Sequence, residues 1–205
     1  MPIASLQEAD LGQAIALPSP EEKGERSLEE ALARRRSRRR YLERPLTLEQ
    51  ISQLLWAAQG VTSADGRRTA PSAGACYPLE VRLVCTEGLF LYLPQEHRLR
   101  KLLARDLRAD LAAVAWGQSF VAKAPISLVF SAVYERTTGR YQERGIRYVH
   151  LDVGIAAENV HLQVEALGLG SVAVGAFDDA AVASVVNLPE SEKPLYIIPV
   201  GYPSD

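Results

Sequence analysis

The chain has 205 residues, 47% of them apolar and 23% charged, with a formal net charge of −2. These numbers describe one domain with a sizeable core, and the near-neutral balance excludes a chain built as a whole to hold nucleic acid. No apolar run reaches the roughly 18 residues of a membrane span, and the two cysteines, Cys76 and Cys85, fit no zinc spacing.

Residues 1–26 read as an N-terminal arm. Glu8 and Asp10 make it a poor signal peptide, and Pro18 and Pro20 predict an extended arm rather than core. With reduced thiols the default, a cytoplasmic protein is expected. Residues 27–205 form the domain.

Ser27 with Glu30 is a capping box that opens a helix running toward a run of arginines. Pro45 prevents any continuation. Thr47 with Gln50 is a second capping box. It precedes a stripe of Leu48, Ile51, Leu54, Leu55 and Ala58, which Gly60 ends. Residues 63–74 are polar and rich in Gly, Ala and Ser, hence a loop.

Leu79, Val81, Leu83 and Cys85 alternate as a strand. The turn at 86–88 returns the chain through 89–93, which makes a hairpin. Leu99, Leu102, Leu103 and Leu107 recur at helical spacing. Residues 126–133 are a continuous apolar run, as in a central strand. The longest helical pattern covers 149–167, with Val153, Ala156, Ala157, Val160 and Val164 on one side and Gly168 and Gly170 ending it. Asp178 caps a short helix, and Pro194 precedes the last strand. The order is α+β, a sheet covered by helices. No strand feeds a G-x-G-x-x-G turn, so a dinucleotide-binding reading fails.

Three stretches could carry chemistry. In 34–40 every residue but Ser37 is Arg, so positive charge is concentrated locally. Arg forks fit phosphate oxygens bidentately and the Ser hydroxyl adds a donor. A solvated face or nucleic-acid patch gives the same pattern. The loop through Pro71, Ser72, Ala73 and Gly74 has small residues over which a flat ligand could lie. Residues 174–177 could aim backbone N–H groups at a ligand. No Ser-His-Asp set or metal cluster can be assembled. His97, His150 and His161 sit in helical patterns, where helix-surface histidines are the plainer reading. Glu158 and Glu165 read as a solvated helix face.

Taken together, these pieces resemble the FMN-dependent nitroreductase superfamily, from about Ser27 to Pro203. The likeness rests on Arg35-Arg36-Ser37-x-Arg39-x-Tyr41, Ala70-Pro71-Ser72-Ala73, Ala124-Pro125 before a strand, Leu167-Gly168-Leu169-Gly170-Ser171 and Gly175-Ala176-Phe177-Asp178, in that order. The loop from Pro71 to Glu80, with Arg136-Thr137-Thr138-Gly139-Arg140-Tyr141, is most similar to the branch containing azoline dehydrogenases. Three features depart from the pattern. Arg140-Tyr141 stands where that branch has Lys-Tyr, Ala75 stands where many relatives have Asn, and residues 201–205 lack a basic tail.

The resemblance implies a nitroreductase-like α+β fold, a mainly antiparallel sheet flanked by helices, in a homodimer with two FMN sites at the interface. It places the phosphate on Arg35, Ser37 and Arg39, with Arg36 beside the ring or ribityl chain. Pro71, Ser72, Ala73 and Gly74 would come from the other subunit. Backbone N–H groups of Gly175 and Ala176 would approach flavin N5, and Gln118 the pyrimidine edge. Arg140 and Tyr141 would position substrate. It further implies ping-pong hydride transfer from NAD(P)H to nitroaromatics or quinones, with no metal, membrane or nucleic acid. The alternatives are an azoline dehydrogenase of modified peptides and a non-catalytic flavin-, anion- or nucleic-acid-binding protein.

Overall fold

A computed structural model describes residues 4–204; the arm's first three residues and Asp205 lie outside the described part. The described residues hold one seven-stranded sheet in the order β1-β4-β3-β2-β5-β7-β6. Its strands are β1 (Ala14–Ala16), β2 (Leu79–Cys85), β3 (Gly88–Leu93), β4 (Arg98–Leu103), β5 (Ile126–Val133), β6 (Gly170–Ser171) and β7 (Glu192–Gly201). Every strand pairing is antiparallel.

The helices are α1 (Ala4–Glu8), α2 (Leu28–Arg34), α3 (Leu48–Gln59), α4 (Arg108–Val114), α5 (Ser119–Lys123), α6 (Glu135–Tyr141), α7 (Arg144–Ala166) and α8 (Asp179–Val185). Both capping boxes form: Ser27 with Glu30 starts α2, and Thr47 with Gln50 starts α3. The Asp178 carboxylate accepts from the Ala181 N–H at the start of α8.

Strand alternation sorts the core into two layers. Leu83, Phe130 and Ile198 face Leu54, Leu55 and Val160 of α3 and α7. Their neighbours Val84, Val129 and Ile197 face Leu111 of α4 and Val182 of α8 on the opposite side. Strand β5 is covered on both faces, which is why its sequence is apolar except for the buried Ser127 and Ser131.

Two expectations are corrected. Leu99, Leu102 and Leu103 belong to strand β4, not to a helix. Leu99 and Lys101 are buried while Arg98 and Arg100 are exposed, so a period of two decides the element. The partner strand β3 supplies the ladder that local spacing cannot show. The arm also joins the core, because Leu6 is fully buried and Leu17 nearly so. Strand β1 pairs with β4, and the Lys101 ammonium donates to the Leu6 and Gln7 carbonyls. The Pro18 carbonyl accepts from Ser52 Oγ at 2.6 Å and lies 2.9 Å from His97 Nε2. His97 thus sits in the turn before β4, with φ of +50°.

Candidate functional site

The arginine run is not helical. Helix α2 stops at Arg34, and Arg35 turns extended, with φ −51° and ψ 123°. From there the chain runs along the sheet edge beside β6. Ser37 forms a parallel bridge with Ser171, the Arg38 N–H donates to the Ser171 carbonyl at 2.9 Å, and Tyr41 bridges to Pro203. The Tyr41 hydroxyl donates to the Arg38 carbonyl at 2.7 Å and to that of Pro199 at 3.2 Å. Close approach explains two glycines here. A Cβ on Gly170 would lie 2.9 Å from Arg38 Cδ, and one on Gly201 would lie 3.0 Å from the Tyr41 ring.

The side chains of this segment differ in what they already hold. Arg36 folds back on its own helix end, donating to the Arg35 and Ala33 carbonyls at 2.7 and 3.2 Å. Arg35 stands 3.7 Å from Glu158 of α7, a half-exposed pair. Arg39 lies over the Phe120 ring at 5.8 Å. Among the described residues neither the Arg39 guanidinium nor the Ser37 hydroxyl meets a hydrogen-bond acceptor or an ion-pair partner.

Gln118 and the 175–176 backbone come together. The Gln118 amide donates to the carbonyls of Ala115 and Ala176, each at 2.9 Å. Gly175 and Ala176 are exposed and follow Val174, which bridges to Ile197. Phe120, under Arg39, is two residues from Gln118, so this region adjoins the edge segment. An exposed indole, Trp116, projects from the same connection with φ of +55°.

The loop at 71–74 forms a second grouping with Arg140 and Tyr141. Gly74 has φ of +61°, and a Cβ there would lie 2.6 Å from the Tyr141 hydroxyl and 2.9 Å from Arg140 Nη1. Arg140 donates to the Gly74 carbonyl at 3.1 Å. The Tyr77 N–H donates to Ser72 Oγ at 2.9 Å. No hydrogen bond, ion pair or ring contact joins this loop to Arg39 or Ala176 among the described residues.

Two groups of α7 are buried: Asp152, which the sequence reading does not single out, and His161, which it places on a helix surface. His161 is nine-tenths buried, with Nδ1 2.8 Å from Ser171 Oγ, the residue on which the edge segment pairs. Burial, with the Arg35 charge adding to it, pushes this imidazole down to about 4. Asp152, 5% exposed, bonds the Ser72 side chain and the Ala73 backbone, while its Oδ2 lacks a partner. Burial raises its carboxyl above the usual range against those two hydrogen bonds. Nine residues separate the pair, about 13 Å of helix rise, so one helix supports both groupings.

Comparison with known proteins follows the same outline. A family profile described as the nitroreductase family matches residues 32–202. A provisionally assigned nitroreductase of Methanocaldococcus jannaschii is 45% identical over 193 residues, covering 91% of this chain and 95% of the relative. An FMN reductase [NAD(P)H] of Bacillus subtilis is 23% identical over 189 residues, 85% of this chain and 65% of the relative. The crystal structure of a provisionally assigned nitroreductase from Ralstonia eutropha superposes with a TM-score of 0.85 at 34% identity, covering 94% of this chain and 90% of that one.

Proposed function

The chain belongs to the nitroreductase family, and from that premise we propose that it is an FMN-dependent oxidoreductase. Its electron donor is NAD(P)H, its acceptors are nitroaromatics or quinones, and the two share one site in turn. The observation that carries this reading is the edge segment, where Ser37 and Arg39 hold donors that no acceptor among the described residues uses.

The donor chemistry fits a flavin mononucleotide. Two arginines and a hydroxyl within five residues suit one terminal phosphate. The exposed N–H groups of Gly175 and Ala176 have no backbone acceptor among the described hydrogen bonds. They suit the ring, and the Gln118 amide beside them suits its pyrimidine edge. When bound, the flavin supplies the redox step, taking hydride from the donor and passing it on. The protein's part is to hold and orient. The edge segment fixes the phosphate, and Tyr41 locks that segment to the sheet. The Asp152–Ser72 contact sets the 71–74 loop, and Arg140 and Tyr141 position the acceptor. For a nitro acceptor, one hydride and one solvent proton give the nitroso product and one water.

We place the site between two copies of the chain, in a cytoplasmic homodimer whose 71–74 loop reaches the partner's flavin. An exposed apolar face supports this. Leu28 and Leu32 of α2 are 60% and 53% exposed, and Leu151 and Ile155 of the neighbouring α7 are 56% and 41% exposed. Of the small residues on α7, Ala156 and Ala157 are spent inside the core, and only Gly154 lies on this outer face. No helix among the described residues is long and apolar enough to cross a membrane.

The test is direct. Purified protein should carry or take up FMN, identified by chromatography after heat release. NADH or NADPH should bleach it anaerobically, and a quinone or nitroaromatic should restore the colour. A protein that takes up no flavin, or whose flavin neither nicotinamide reduces, refutes the proposal. Bleaching by a thiazoline peptide instead would favour azoline oxidation, although Arg140 cannot act as a base at neutral pH.

A further inference from the structure

Helix α6 and the first turns of α7 carry Arg140, Tyr141, Arg144 and Tyr148, of which Arg140 and Tyr141 meet the 71–74 loop. The Tyr141 and Tyr148 rings stand edge to face, 5.1 Å apart at 89°. Arg140 lies 5.5 Å from the Tyr141 ring and Arg144 5.9 Å from that of Tyr148. The loop approaches the first pair closely: a Cβ at Gly74, whose φ of +61° favours glycine, would lie 2.6 Å from Tyr141 Oη and 2.9 Å from Arg140 Nη1. Arg140, though exposed, is thus tied by one hydrogen bond to a residue 66 positions away in sequence.

What these groups leave free is informative. Arg140 spends one N–H direction on the Gly74 carbonyl. Among the described residues no carboxylate pairs with Arg140 or Arg144, and Tyr141 Oη makes no hydrogen bond. Of the nearby acids, Glu80 is bonded to Arg136 and Asp152 to Ser72 and Ala73, while Glu143, next to Arg144 in sequence, forms no ion pair with either arginine among the described residues. Guanidinium groups without a direct ion-pair partner among the described residues thus stand beside a pair of aromatic edges, at the rim of the loop assigned above to the flavin.

We propose that Arg140, with Tyr141, makes this site select flat acceptors that carry an acidic group, a carboxylate or sulfonate on an aromatic or quinone ring. The inference rests on the functional reading above. A guanidinium fork matches a carboxylate bidentately and keeps its charge at any working pH. The tyrosine edges cover the flat body, and the free Tyr141 hydroxyl gives the anion a second donor.

The probes are benzoate and benzamide, isosteric ring compounds that differ in charge and are not themselves reduced. Each is used as an inhibitor of quinone reduction by the flavin-loaded enzyme. Benzoate should inhibit at a concentration about tenfold lower than benzamide, consistent with one charge-assisted contact. Arg140→Gln should erase that ratio while flavin content stays intact, and Arg140→Lys should keep part of it. Equal inhibition by the two compounds in the parent enzyme, or a ratio that survives Arg140→Gln, overturns the proposal. Failure of the parent enzyme to reduce any quinone counts instead against the functional reading.

Discussion

His161 should make the fold acid-sensitive. Its imidazole is buried against Ser171 beside Arg35, and it stays neutral down to about pH 4. In the unfolded chain it takes a proton near 6.5. A depressed folded-state value means that the unfolded state binds more protons in between. The stabilisation is therefore complete above about pH 6.5 and is lost as pH falls toward 4. Two and a half pH units correspond to roughly 3 kcal/mol in all, of which roughly 2 kcal/mol goes between pH 7 and pH 5. Glu158, 3.7 Å from Arg35, softens the arginine's effect, so burial dominates. His97 is lowered by burial too and adds the same sign, whereas the raised carboxyl of Asp152 opposes it. The difference between parent and His161→Asn isolates the one group, because Asn keeps a polar atom near the Nδ1 position. Urea unfolding at pH 7 and pH 5 should show the parent losing roughly 2 kcal/mol more than the variant. Parallel losses in the two proteins would refute the assignment.

Arg39→Ala should weaken FMN binding about tenfold or more, the cost of one charge-assisted phosphate contact, as read by flavin titration. Arg38→Ala should weaken it much less, because the Arg38 side chain packs on Gly170 and its N–H is already given to Ser171; equal effects would reduce the cluster to diffuse charge. The double variant Leu151→Asp, Ile155→Asp should turn a dimer into a monomer by light scattering and release flavin with it. A flavin-loaded monomer of the parent protein would contradict the shared site. On the far sheet face, Arg82 and Glu192 form a buried ion pair at 2.5 Å, with Ser131 bonded to both. Glu192→Gln should cost about 3–5 kcal/mol of unfolding free energy, and replacing both partners with Met and Leu should recover most of it.

Local rules in the sequence carried most of the architecture. Capping boxes at Ser27 and Thr47 set helix starts because the bonds that make them span only three residues. The apolar run in β5 marked a strand covered on both faces. What failed was decided by partners distant in sequence. Arg98-Leu99-Arg100-Lys101-Leu102-Leu103 fits a helix by spacing and becomes β4 because β3 and β1 offer it hydrogen bonds. The arm was assigned to the outside on its prolines. Leu6 and Leu17 are held by contacts 95 and 80 residues away, to Lys101 and His97, which no local pattern encodes.

The candidate site was legible as a set of motifs and illegible as an arrangement. The edge position of Ser37 follows from its bridge to Ser171, and the Arg140 contact with Gly74 joins residues 66 apart in sequence. Yet α7 did hold a readable signal. Asp152 falls three residues after buried Val149 and four before buried Ala156, in phase with the apolar stripe. His161 falls four after Ala157 and three before Val164, again in phase. A polar residue at a core position must find a partner or remain costly. Each of these two finds its partner in a loop of the candidate site: Ser72 for Asp152, Ser171 for His161. The same helix that buries its apolar stripe against the sheet thereby fixes the height of the 71–74 loop and the seat of the arginine segment. The phase of a polar residue within an apolar stripe therefore identifies the supports of this site, where the identity of the exposed arginines identifies only its ligand chemistry.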